Sequence, residues 1–169
     1  MVSNRYNETM RLSSAGIAAL RQREGAVLRY YNDAANHCTY GVGTLIHQGP
    51  CTETELRRPV SIAEVNTQLA ISVQHAENIV RQQVRDQQLT QAQFDALVSF
   101  TFNTGARGAR TTLNFANQGA FHDVAMQMSR NIYIHPRDAN GRRLPPIRLQ
   151  GLVNRRQEEM APFLTGRTN

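Results

Sequence analysis

Between Glu24 and Leu45 the chain exchanges one periodicity for another, and no other stretch constrains its fold as much. Upstream, Ser13 or Ser14 is placed to cap a helix running to about Glu24, with Ile17, Ala18 and Leu20 on its buried face and Gly25 as its stop. Downstream, Ala26 to Tyr31 is apolar and aromatic and suits a buried strand. Asn32-Asp33-Ala34-Ala35-Asn36 has the composition of a turn. The residues then alternate, with Cys38, Tyr40 and Val42 on one face and Thr39, Gly41 and Gly43 on the other. A helix feeding a small hairpin, in a chain whose other apolar repeats are helical, predicts an α+β, mainly helical fold.

The helical repeats follow in order. His47 to Pro59 reads as a loop, with a short helical turn from Thr52 to Arg58. Ser61-Ile62-Ala63-Glu64 is a capping box. Ile62, Val65, Leu69, Val73, Ala76, Val80 and Val84 recur at three or four positions, predicting one helix to about Arg85 and spanning roughly 30 Å. Thr90-Gln91-Ala92-Gln93 is a second capping box, opening a helix through Phe94, Leu97, Val98 and Phe100. Shorter helices are expected at Thr112 to Asn117 and Ala120 to Ser129. Asn131 to Leu149, with Asp138-Ala139-Asn140-Gly141 and Pro145-Pro146, reads as a long proline- and arginine-rich loop.

Two carboxyls and a hydroxyl lie along the helix-to-hairpin unit: Glu24, Asp33 nine positions on, and Thr39. That set suits acid and base work on a glycosidic bond. Glu24 would sit at the negative end of a helix dipole, which favours the protonated carboxyl that donates to a leaving oxygen. Taken alone, Glu24 reads rather as a solvated helix-end acid and Asp33 as a backbone cap. Glycines beside Thr39 leave that strand face bare, open to a sugar ring.

Other chemistries fit less well. Cys38 and Cys51 match no zinc-ligand spacing, and the sequence leaves open whether they form a disulfide or stay as two thiols. Gly41-Val42-Gly43 lacks the third glycine and the following helix of a nucleotide loop. No metal or cofactor is therefore expected. No apolar run approaches the roughly 18 residues of a membrane span, and Met1 to Leu12 reads as a polar leader without the apolar region of a signal peptide. The formal charge is +6, and arginine supplies all 19 basic residues, so an acidic partner is implied. The arginines are scattered and no nucleic-acid reading motif appears, so nucleic acid is not the expected partner.

The run Glu24-Gly25, Tyr31-Asn32-Asp33, Thr39-Tyr40-Gly41-Val42-Gly43 closely resembles the Glu-Gly, Tyr-x-Asp, Thr-x-Gly-x-Gly signature of phage-type lysozymes, the glycoside hydrolase family 24 muramidases of T-even type. Phe102-Asn103-Thr104-Gly105, Thr112-Leu113 and Gly151-Leu152-Val153-Asn154-Arg155-Arg156-Gln157-Glu158-Glu159 resemble that family's later motifs, in its order. The resemblance implies a lysozyme-like two-lobed fold: a lobe with a β-hairpin at 13–60, a linking helix at 61–85 and a helical lobe at 86–169, after the leader at 1–12. It implies Glu24 as general acid, Asp33 and Thr39 as the groups that position a water, Tyr31 and Asn103 as substrate contacts, and Arg155 as support for Glu24. Arg156 reads as part of an arginine-rich helix face paired with Glu158 and Glu159. The family's usual tryptophan in the region 131–149 is missing, with Tyr133 or His135 in its place.

These features predict a monomeric muramidase acting on peptidoglycan, with neither cofactor nor membrane span. Without a signal peptide, delivery to the wall is expected through a holin or a secretion system, as a phage endolysin or an antibacterial effector. The competing readings are a peptidoglycan-binding module of the same fold without catalysis and an arginine-rich nucleic-acid binder; the former is disfavoured by the presence of all three of Glu24, Asp33 and Thr39.

Overall fold

The computed structural model describes residues 5–24, 27–41 and 44–164. Gly25, the expected helix stop, and Val42 and Gly43 of the expected strand lie outside the described residues. The architecture is α+β and mainly helical, in two compact units. The smaller holds Ala19–Ser72 and Tyr133–Leu149; the larger holds Val73–Ile132 with the described residues through Ala18 and from Gln150.

Helix α1 (Ser14–Glu24) ends on the glutamate as expected, but only Leu20 of its expected apolar face is buried. Ile17 and Ala18 are exposed, a correction to the periodicity. Strands β1 (Val27–Asn32), β2 (Cys38–Gly41) and β3 (Thr44–His47) form a three-stranded antiparallel sheet in that order. The expected hairpin thus gains a third strand. Because β1 is an edge strand, Leu28 is exposed and Tyr30 and Tyr31 are half-buried, so β1 is not the buried strand its composition suggested. β2, in the middle, is buried along its length.

A short helix α2 (Glu53–Arg57) follows, with Thr52 and Glu55 exchanging capping-box hydrogen bonds. The Cys38–Cys51 disulfide ties β2 to the segment before α2, settling the question left open by sequence. Closing a loop of this size restricts the unfolded chain by about 3 kcal/mol. His47 on β3 reaches Glu55 on α2 at 2.9 Å. The hydrogen bond to Glu55, and a second to the Gln48 carbonyl, hold His47 above its ordinary 6.5, while the same contact with His47 holds Glu55 below 4.5. A raised histidine stabilises fully below 6.5 and loses that contribution as pH rises through its folded value; a lowered glutamate loses its contribution as pH falls through its own. The pair therefore contributes most between about 4.5 and 6.5. In urea unfolding, His47→Gln is expected to lower the midpoint at pH 5.5 more than at pH 8.5; equal losses would contradict the pairing.

α3 (Ile62–Gln83) starts at the Ser61 and Glu64 capping box, whose two bonds are 3.1 Å and 3.0 Å. Its residues through Ser72 belong to the smaller unit and those from Val73 to the larger. Val65, Leu69, Ala76, Val80 and Val84 are buried as the repeat predicts, whereas Ile62 at the exposed first turn is 63% exposed.

In the larger unit α4 (Gln91–Asn117) is capped by Thr90 and Gln93 and breaks at Gly105, where φ is 79°. A Cβ there would meet nothing within 4 Å, so the backbone angle, not space, requires glycine. The helix resumes directly after this break, which corrects the expected start at Thr112. α5 (Phe121–Ser129) buries Val124, Ala125 and Met128 against α4 and α6 (Gln150–Leu164). Asn7, at 6% exposure, donates to the carbonyls of Val84 and Gln87 and accepts from the Leu89 N–H, so the polar segment before Leu12 fastens the end of α3.

The segment 131–149 is not the long loop expected. Strands β4 (Tyr133–Ile134) and β5 (Ile147–Arg148) pair antiparallel, and Asp138 Oδ1 accepts the N–H groups of Asn140 and Arg142 at 2.9 Å to build the tip. Asn, Asp and Gly spaced for a turn outweighed the prolines.

Candidate functional site

Glu24, Asp33, Thr39 and Tyr31 all belong to the smaller unit. Glu24 is the last residue of α1 and is half-buried. Asp33 follows β1 directly. One carboxylate oxygen accepts the backbone N–H groups of Ala35 and His37, each at 2.9 Å. The Asp33 N–H donates to the His37 carbonyl at 3.0 Å, closing the turn from the other side. The second oxygen is left to the Thr39 hydroxyl, which lies at 3.3 Å and also reaches the His37 carbonyl at 3.2 Å.

The structural role expected of an aspartate in a turn is thus met by one oxygen, and the other faces the Thr39 hydroxyl. Asp33→Asn keeps an acceptor for Ala35 and His37, whereas Asp33→Ala leaves both donors without one. Hydrogen bonds to a charged group contribute about 1.5–3 kcal/mol. The alanine variant is expected to unfold at lower denaturant concentration than the asparagine variant. Equal stability of the two would contradict the turn assignment.

Register places Tyr31 directly across from Thr39. The Tyr31 hydroxyl is held above its ordinary 10.0 by burial first, then by the negative charges of Glu24 and Asp33, against the opposing Arg29 guanidinium. Tyr31 therefore remains a neutral donor at neutral pH and senses both candidate carboxylates.

The bare strand face expected around Thr39 is not open. Thr39 is 3% exposed. A Cβ on Gly41, where φ is 64°, would approach Val65 Cγ2 to 2.9 Å. The glycine admits a core valine of α3 instead of a sugar ring.

Two features that sequence reasoning missed support the Asp33 turn. Asn36 adopts φ 61°. Its Nδ2 donates to the Arg137 carbonyl at 3.2 Å, and the Arg137 N–H donates to the Ala35 carbonyl at 3.3 Å. The β4–β5 hairpin therefore braces the turn that holds the candidate carboxylate. More than 100 residues separate these partners, and no local signal joins them.

The remaining candidates lie in the larger unit. Asn103 is exposed, and its Oδ1 accepts from Arg156 Nη2. Arg155 is 7% exposed, with Nη2 donating to the Ser99 carbonyl at 3.1 Å. Arg156 does pair with Glu159, but not on a solvated face: Arg156 is 2% and Glu159 1% exposed. Arg156 also donates to the Asn131 carbonyl at 2.8 Å and lies 4.8 Å from the Phe100 ring centroid. The expectation of an ordinary helix face is corrected, and Arg156 becomes the residue that holds Asn103.

Residues 21–159, from the end of α1 through most of α6, match the model of the phage lysozyme family. The chain belongs to that family. Among similar proteins, the endolysin of Bacillus phage PZA is 31% identical over 161 residues, covering 93% of this chain and 56% of the relative. The chain spans about half the length of the Bacillus phage endolysins it matches. Among solved structures, the muramidase domain of SpmX from Asticaccaulis excentricus superposes with a TM-score of 0.68 at 25% identity, covering 92% of this chain and 99% of that one. The endolysin from Escherichia coli O157:H7 phage FAHEc1 gives 0.65 at 28% identity, covering 92% and 94%.

Among the described residues, Cys38, His47 and Glu55 bring possible metal-ligand atoms within 4.8 Å of one another. Cys38 is committed to the disulfide, which removes the thiolate such a site needs.

Proposed function

We propose that this phage lysozyme family member is a peptidoglycan hydrolase of the glycoside hydrolase family 24, T-even type, cleaving the β-1,4 bond between N-acetylmuramic acid and N-acetylglucosamine as a lysozyme-type glycosidase. Glu24 donates a proton to the glycosidic oxygen. Asp33, with the Thr39 hydroxyl hydrogen-bonded to its second oxygen, holds the attacking water. Attack by water without a covalent intermediate inverts the anomeric centre. Tyr31 and Asn103 contact the glycan, and Arg155 supports Glu24.

The observation that carries this reading is the division of Asp33: one oxygen satisfied by two backbone donors, the other facing Thr39, with Tyr31 directly across from Thr39. Family membership and the muramidase and endolysin names of the similar proteins support the substrate. The +6 charge suits an anionic wall polymer. The chain works as a monomer and reaches the wall through a holin or a secretion system, as an endolysin or an antibacterial effector. Purified protein is expected to clear a suspension of bacterial cell walls; folded protein that binds walls without clearing them would favour a non-catalytic wall-binding module.

A further inference from the structure

β1 and β2 present different side chains on their two faces. Tyr31 and Thr39 share the face of the candidate catalytic site, and their neighbours Tyr30 and Tyr40, also cross-strand partners, share the other. On that second face Tyr30, Tyr40, Arg58, Val60, Ala63, Glu64, Thr67 and Gln68 line a cleft of about 410 Å³, wholly within the smaller unit. This is at the small end of the range for ligand sites, about 300–1,000 Å³.

The lining combines an aromatic shelf with unused polar groups. The Tyr30 and Tyr40 rings lie 5.4 Å apart at 31°, and the Arg58 guanidinium stands 5.9 Å from the Tyr30 centroid. Among the described residues no carboxylate pairs with Arg58 and no protein group hydrogen-bonds either tyrosine hydroxyl, nor the Thr67 or Gln68 side chains. One Glu64 oxygen caps the Ser61 N–H and the other is available to accept. Val60, 7% exposed, supplies an apolar floor.

We propose that this cleft is an accessory saccharide site, separate from the hydrolytic one, that takes an N-acetylated amino sugar carrying a carboxylate. The choice of ligand rests on the peptidoglycan reading. The apolar C–H face of a pyranose packs on the tyrosine rings, as flat apolar surface does on aromatic side chains. Hydroxyls and the acetamide meet Thr67, Gln68, Glu64 and the tyrosine hydroxyls. The carboxylate meets Arg58, whose planar fork suits that group. Glu64 disfavours a second negative charge nearby, so the site distinguishes one carboxylate from a polyanion. Holding a wall sugar here keeps the enzyme on its insoluble substrate between cleavages, without any new chemistry.

The test is NMR titration of the folded chain with N-acetylmuramic acid, and separately with neutral N-acetylglucosamine. The expected result is saturable shifts of the Tyr30, Tyr40 and Arg58 signals, stronger for the acidic sugar. Arg58→Gln, at an exposed position, should weaken acidic-sugar binding about tenfold, the loss of one charge-assisted contact. The proposal is overturned by shifts confined to Tyr31, Asp33 and Thr39, by no shift, or by equal binding of both sugars with Arg58→Gln unchanged. Because these signals need no turnover, the outcome is independent of wall lysis. Lysis without binding sinks only the accessory site, whereas binding without lysis sinks the hydrolase reading alone.

Discussion

Glu24→Gln is expected to reduce cell-wall lysis by about 100- to 10,000-fold, the range that a positioned acid contributes, with little change in stability. Glutamine matches the shape of the carboxyl but has no acidic proton to give, so the variant should still bind walls. Thermal unfolding separates the chemical effect from a structural one. Lysis within a few-fold of the parent, at matched folded protein, would remove Glu24 from the acid role and leave Asp33 and Thr39 without a partner in the reaction.

The second large effect is structural. Glu159→Ala should destabilise the protein by about 3–5 kcal/mol, the cost of leaving a buried charge without its partner. Arg156 has been desolvated among Phe100, Asn131 and Asn103, and Glu159 is its ion-pair partner there while also lying 3.7 Å from the buried Arg155. Glu159→Gln keeps an acceptor oxygen and should lose less. Removing both charges with Arg156→Met and Glu159→Leu should recover only part of the loss, since no orphaned Arg156 is left but the buried Arg155, 3.7 Å from Glu159, still loses that contact. Urea unfolding of the two single variants and the double variant measures this coupling; additive losses would show that the two residues act independently.

Both predictions reflect what could be read from the sequence and what could not. The capping boxes at Ser61 and Thr90 and the repeat from Val65 to Val84 are local signals, written in adjacent residues, and the helices start where they say. The end of α1 at Glu24 was equally legible. Burial was less so. Ile17 and Ile62 satisfy the helical period yet face solvent, because periodicity finds a stripe without saying how far along the helix another element covers it. β1 has the composition of a buried strand but lies at a sheet edge, a property of pairing order.

At the site, the residue types and spacing of Glu24, Asp33 and Thr39 were visible, while the division of labour between the Asp33 oxygens was not. It depends on backbone N–H groups at Ala35 and His37 and on a brace from Arg137 far along the chain. Gly41 shows the opposite failure. Its lack of a side chain was legible, but the occupant of the space is Val65, which no local pattern names. Arg155 and Arg156 are adjacent in sequence and alike in charge, both pair with Glu159, and only packing gives the first the Ser99 carbonyl and the second Asn103.

The central claim is that Glu24, Asp33 and Thr39 hydrolyse the glycosidic bond on the reducing side of N-acetylmuramic acid. Mass spectrometry of the soluble fragments from purified peptidoglycan, after borohydride reduction, tests it most directly. The account predicts fragments ending in reduced N-acetylmuramic acid, formed by the parent chain and not by Glu24→Gln. Fragments ending in N-acetylglucosamine or in an anhydro sugar, or intact glycan with new peptide amines, would contradict it.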